Sequence, residues 1–206
     1  MQGLYLVTDR ELCGNRPVEE VVFQAVKGGV SCVQLREKAL PLNMFIEEAK
    51  RIKEIVRPFN VPLIINDSVD VALAVGADGV HVGQEDMPFA EVRKLLGTKA
   101  IIGLSVETWE DVEKAQGLDV DYLGVSPIFD TPTKTDTKFA WGLVGLSRIK
   151  AYSRHRLVAI GGINMKNASD VIRAGADSIA VVSAICAAPD PYEAARALES
   201  LIRNSR

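Results

Sequence analysis

Residues 64–88, I-I-N-D-S-V-D-V-A-L-A-V-G-A-D-G-V-H-V-G-Q-E-D-M-P, read as a strand, a short helix and a second strand. Each half is a β-branched apolar run that stops at polar residues, Asn66-Asp67 in the first and Gln84-Glu85-Asp86 in the second. A right-handed crossover makes two such strands parallel, so their C-terminal ends lie side by side. Asp67 and Asp86 would then face one pocket. Two carboxylates at neighbouring strand ends suit a hard divalent cation, above all Mg²⁺ carried by the phosphates of a substrate. The same residues would also serve as caps of the helices that follow, and Met87-Pro88 is good helix-start chemistry. The stretch alone leaves both readings open.

Outward from it, the same alternation covers the chain. Strands are expected near 3–8, 31–36, 62–66, 78–82, 99–104, 120–125, 157–160 and 177–182. Helical periodicity fills the gaps at 18–27, 42–56, 69–75, 89–96, 108–116, 143–153, 165–174 and 191–203. Eight such units in about 200 residues is the lower size limit of a (β/α)8 TIM barrel. The strands are apolar on both faces, as a parallel sheet covered by helices requires. Gly28-Gly29-Val30, Gly76-Ala77-Asp78 and Gly175-Ala176-Asp177 echo one another, each a helix-ending glycine before a strand. A doubly wound open sheet would place a glycine-rich fingerprint after the first strand. Thr8-Asp9-Arg10-Glu11 stands there instead, so the α/β barrel is preferred, as one catalytic domain over 1–206.

Composition excludes several classes. The 206 residues are 48% hydrophobic and 25% charged, ample for a core. A net charge of −3 offers no case for nucleic acid or an anionic membrane, and no apolar run approaches the roughly 20 residues of a membrane span. The first strand begins at once, which leaves no room for a targeting peptide. Cys13, Cys32 and Cys186 lack metal-ligand spacing, and Cys32, inside an apolar run, reads as a buried thiol. A cytoplasmic location is expected; the oligomeric state, a homo-oligomer included, is left open.

In a barrel the chemistry collects at the C-terminal strand ends. The second strand ends Gln34-Leu35-Arg36-Glu37-Lys38. Alternation puts Gln34 and Arg36 on one side, and Lys38 can reach back. Arg and Lys over one mouth suit a phosphate or pyrophosphate; the plainer alternative is a solvated loop paired with Glu37. Ser105, after the fifth strand, reads as weakly as a helix cap. The loop after the sixth strand offers Thr131, Thr133, Lys134 and Thr135 as donors, which suits a binding loop or lid. Gly161-Gly162 and Ser183, after the last two strands, suit a second phosphate. His81 reads as a packed barrel residue and His155 as solvated. No Ser/His/Asp order, CxxC or HExxH occurs. Two anion sites on one rim are what an enzyme joining two phosphorylated small molecules needs.

The chain closely resembles the thiamine phosphate synthase (thiamine-phosphate pyrophosphorylase) family. The resemblance is carried by Y-L-V-T-D at 5–9, Q-L-R-E-K at 34–38, I-N-D at 65–67, G-V-H-V-G-Q-E-D at 79–86 and G-L-S at 103–105. T-P-T-K-T-D at 131–136, I-G-G-I at 160–163 and V-V-S-A-I at 181–185 complete it. It implies a Mg²⁺-dependent transferase that condenses 4-amino-2-methyl-5-hydroxymethylpyrimidine diphosphate with thiazole monophosphate. The products would be thiamine monophosphate and pyrophosphate. By the same resemblance Asp67 and Asp86 would hold Mg²⁺, and Gln34, Arg36, Lys38 and Asn66 the pyrimidine diphosphate. Lys134 would contact the departing pyrophosphate and Ser105 the pyrimidine, while Thr131, Thr133, Gly162, Val182 and Ser183 would bind the thiazole phosphate. By the same resemblance Arg36, Lys38, Lys134 and Ser105 would be the catalytic group.

Two features depart from the family pattern: Ser126, where Gly is more usual, and the bulky T-K-F-A-W at 137–141. The related thiazole tautomerase branch is the main rival, but the histidine it uses near the sixth strand end is absent from Gly124-Val125-Ser126. A phosphate-ligand sensor would be expected to lose the carboxylates or Lys134, and both are present.

Overall fold

Eight parallel strands follow one another in chain order around a closed barrel, the last pairing with the first. They are β1 (Gly3–Val7), β2 (Val30–Leu35), β3 (Leu63–Asn66), β4 (Gly79–Val82), β5 (Ile101–Val106), β6 (Tyr122–Val125), β7 (Arg156–Ile160) and β8 (Ser178–Val181). The computed structural model describes residues 2–130 and 139–206. The expected TIM barrel is the observed architecture.

The two-residue period of a strand sorts its side chains between two environments. Leu4, Leu6, Val33, Leu35, Leu63 and Ile65 face outward into the shell between sheet and helices. Tyr5, Val7, Cys32, Ile64, Tyr122, Val158 and Ala180 fill the lumen. Burial pushes the Cys32 thiol far above its usual range, in keeping with an inert core residue.

The shell is closed by α2 (Val18–Lys27), α3 (Leu42–Val56), α4 (Val69–Val75), α5 (Phe89–Leu96), α6 (Trp109–Ala115), α7 (Gly142–Tyr152), α8 (Ala168–Arg173) and α10 (Pro191–Asn204). The glycine echo has the expected meaning, since Gly76 and Gly175 take φ of 58° and 111° after α4 and α8. The aspartate of the echo adds a second device. Asp78 accepts from Leu63 N–H at 2.8 Å, and Asp177 accepts from Leu157 N–H at 2.8 Å. Each carboxylate thus satisfies an amide at the start of the preceding strand.

Four local expectations need correction. Single-turn helices α1 (Arg10–Cys13) and α9 (Ser183–Cys186) follow β1 and β8; they are too short to show a hydrophobic period. β5 continues through Ser105 to Val106, and Thr108, accepting from Asp111 N–H, is the cap of α6. α8 starts at Ala168 because Asn164 and Asn167 bond into a turn before it, Asn164 N–H donating to Asn167 Oδ1 at 2.8 Å. His155 is buried, with Nε2 2.9 Å from the Ala115 carbonyl; its charged sequence neighbours conceal that.

Candidate active site

The C-terminal strand ends open into one cavity of about 1130 Å³. Gln34, Arg36, Lys38, Asn66, Asp67, Asp86, Ser105, Gly162, Val182 and Ser183 all line it. Every site residue expected from sequence is therefore brought together, except Thr131, Thr133 and Lys134, which lie outside the described residues.

The cationic side is assembled from β2. Glu37 does not neutralise its neighbours: it accepts from Arg10 Nε at 2.8 Å, and Arg10 also reaches the buried Glu48 at 2.6 Å. Arg36 lines the cavity with its NH1 3.7 Å from Asp9 Oδ2, a contact long enough to leave the guanidinium available. Asp9 in turn caps α1 by accepting from Leu12 N–H at 3.1 Å, so the start of α1 helps to aim Arg36. Lys38 is exposed at the rim. Glu37 is thus paired with Arg10 and not, as the solvated-loop alternative had it, with Arg36 or Lys38.

Next to this side, after the neighbouring strands β3 and β4, stand the two carboxylates. Asp67 follows β3 with φ of 61°, a left-handed conformation that a side chain other than Gly seldom adopts. Its N–H donates to the His81 carbonyl at 2.8 Å, which ties the end of β3 to β4. Asp86 is turned back by accepting from Gly83 N–H at 2.7 Å. The capping alternative is not what they do, since Ser68 caps α4 and Pro88 is the N-cap residue of α5. Partial desolvation, then the charge and hydrogen bond of Asp86, push the Asp67 carboxyl up to about 6, against the pull of Lys38 and Arg36. Two acids in such contact repel when both are ionised.

The opposite wall is backbone-rich. Gly161 and Gly162 have φ of 106° and 66°, and α9 begins at Ser183, which lines the cavity. The amides of Asn164 and Asn167 donate to the Gly162 carbonyl at 3.1 and 3.0 Å, holding the turn. A Cβ at Gly162 would lie 2.8 Å from Phe129 Cβ and 2.9 Å from the Asp130 carbonyl oxygen. Gly162→Ala is accordingly expected to cost about 1–3 kcal/mol of stability, from left-handed strain plus overpacking. Urea unfolding measures this; an unchanged midpoint would mean that residues 127–130 yield freely.

Sequence reading missed the floor of the cavity. Tyr5 and Tyr122 hydrogen-bond to each other at 2.8 Å, and His81 bridges Tyr122 and Ser105 at 3.0 and 2.9 Å. Gln84 Nε2 donates to the Ser105 carbonyl at 2.6 Å. Polar residues within apolar strands were the available signal.

Residues 4–185 match a family model described as thiamine monophosphate synthase. The thiamine-phosphate synthase of Leptospira biflexa is 57% identical over 204 residues, 97% of each chain. That of Albidiferax ferrireducens is 56% identical over 199 residues, covering 97% of this chain and 91% of the relative. Among solved structures, thiamine phosphate pyrophosphorylase from Pyrococcus furiosus superposes with a TM-score of 0.91 at 37% identity, covering 99% of this chain and 96% of that one. Orotidine 5'-phosphate decarboxylase from Pyrococcus horikoshii, at 20% identity and a TM-score of 0.70 over 96% of this chain and 99% of its own, shares the fold alone.

Proposed function

The chain belongs to the thiamine monophosphate synthase family and is a transferase; from that premise we propose that it joins 4-amino-2-methyl-5-hydroxymethylpyrimidine diphosphate to thiazole monophosphate. What supports the reading is that Arg36 and Lys38, which follow β2, and Gly162 and Ser183, which follow β7 and β8, line the same cavity. A substrate bearing a diphosphate and a second bearing one phosphate would each find a complementary wall.

In this reading the bond between the pyrimidine methylene carbon and the diphosphate oxygen breaks, and the oxygen keeps the pair. The thiazole nitrogen supplies the pair for the new C–N bond, so no proton has to move. The step is dissociative and asks for charge stabilisation on the leaving group, not for a protein nucleophile. Arg36 and Lys38, with Lys134 by family resemblance, would hold the pyrophosphate. Gln34, Asn66 and Ser105 would orient the pyrimidine, while Thr131, Thr133, Gly162, Val182 and Ser183 would place the thiazole. Enclosure would keep water from the cationic carbon.

Asp67 and Asp86 are the residues that would hold Mg²⁺. Among the described residues no three or more His, Cys, Asp or Glu side chains converge as a cation site. A carboxylate pair with a raised Asp67 suits a cation that brings phosphate and water ligands with it. When bound, Mg²⁺ would neutralise charge building on the departing pyrophosphate. Incubation with both substrates and Mg²⁺ is expected to yield thiamine monophosphate and pyrophosphate, and EDTA to abolish both. No product, with thiazole phosphate still bound, would transfer the reading to an isomerase or a sensor.

A further inference from the structure

A continuous hydrogen-bond chain crosses the barrel floor between two cavity-lining side chains that the synthase reading assigns to the pyrimidine. Gln34 Nε2 donates to the Tyr5 hydroxyl at 2.9 Å, and Tyr5 and Tyr122 are joined at 2.8 Å. The Tyr122 hydroxyl lies 3.0 Å from His81 Nδ1, and His81 Nε2 lies 2.9 Å from Ser105 Oγ. Both tyrosines are 1% exposed. Desolvation holds both phenols well above their usual range, so each hydroxyl keeps one proton to donate.

We propose that Tyr5, Tyr122 and His81 are positioning residues that fix which hydrogen-bonding face Gln34 and Ser105 turn to the pyrimidine. The consequence is selection for a ring with an amino donor on the Gln34 side and a ring-nitrogen acceptor on the Ser105 side. The inference rests on the synthase reading and adds the polarity of that subsite.

The polarity follows link by link. The Tyr5 oxygen accepts from Gln34; in the bond to Tyr122 either oxygen can donate, and the proposed order has Tyr5 do so. The Tyr122 hydroxyl then donates to His81 Nδ1. That makes Nε2 the protonated nitrogen, which donates to Ser105 Oγ. At one end the Gln34 amide, with its NH₂ turned inward, presents Oε1 to the cavity as an acceptor. At the other end Ser105, already accepting, has its hydroxyl proton left for the ligand. An aminopyrimidine satisfies both ends. Its 4-oxo counterpart brings a carbonyl acceptor where Gln34 requires a donor, and leaves buried polar groups unpaired.

The surrounding backbone makes room for this chain. A Cβ at Gly124 would lie 2.8 Å from His81 Cε1, and one at Gly103 would lie 2.5 Å from His81 Nδ1. The His81 and Tyr122 rings stack with centroids 5.4 Å apart and planes at 25°. Apolar rings would fill the same volume, but they could not pass a hydrogen-bond direction from Gln34 to Ser105.

The test compares kcat/KM for the 4-amino and 4-oxo pyrimidine diphosphates. The wild type is expected to favour the amino compound by about 10²-fold or more. Tyr5→Phe frees the Gln34 amide to turn over, and Tyr122→Phe breaks the chain at its centre. In each the preference should fall by about tenfold or more, chiefly through a raised KM for the amino substrate. The KM for thiazole phosphate should not move, which separates positioning from a general loss of structure. If Tyr122→Phe does not fold, Tyr5→Phe carries the test, because it leaves the His81 end intact. Wild-type selectivity retained in the folded Phe variants would overturn the chain's role while leaving the synthase reading standing. Absence of product from the wild type would sink both.

Discussion

Asp67→Asn is expected to lower thiamine monophosphate formation by about 10²-fold or more, and at the same time to make the metal-free protein more stable at pH 8. The first effect removes one of the two carboxylates assigned to Mg²⁺. The second follows from the repulsion between Asp67 and Asp86. An unfolded Asp titrates near ~3.9, whereas Asp67 in the fold is pushed up to about 6. Between those values the folded state binds the proton more tightly than the unfolded chain does. Stability therefore falls as pH rises through that window, and the deficit persists above it. Asparagine removes the titrating charge, and it tolerates the φ of 61° better than most residues.

Thermal unfolding at pH 5 and pH 8, with and without Mg²⁺, checks the claim without reference to turnover. Mg²⁺ should raise the wild-type midpoint at pH 8, much less at pH 5 where Asp67 is largely protonated, and least in Asp67→Asn. A metal-free variant no more stable than wild type at pH 8 would remove the repulsion argument. Full turnover at saturating Mg²⁺ would remove the metal assignment.

Arg36→Met is expected to lower kcat by about 10²- to 10³-fold, with little change in the KM for thiazole phosphate. The guanidinium lines the cavity beside Lys38, and its contact with Asp9 is 3.7 Å. It is placed to meet charge that grows as the pyrophosphate departs, which is a demand of the transition state more than of the bound substrate. Arg36→Lys should recover only part of the rate, since an ammonium restores charge without the bidentate fork. Single-turnover measurements distinguish this from slow product release. A kcat near wild type in the Met variant would place the diphosphate elsewhere in the cavity.

The amino-acid sequence by itself determined the barrel, because eight apolar runs separated by helical periods admit few parallel arrangements. It also determined the rim: Gln34, Arg36, Asp67, Asp86 and Gly162 stand where apolar runs end, and a parallel barrel gathers such ends at one face. Only the tertiary structure decided how those groups act. That Glu37 belongs to Arg10, and so leaves the Arg36–Lys38 edge cationic, depends on a contact between β1 and β2 loops that no local pattern encodes. Ser105 and His81 read as a cap and a core residue because a strand's sequence does not say what stands across the lumen. Across it, Tyr122 and Tyr5 complete their hydrogen bonds. Periodicity reports which face a side chain takes; hydrogen-bond partners come from strands remote in sequence, and closure of the barrel brings them within reach.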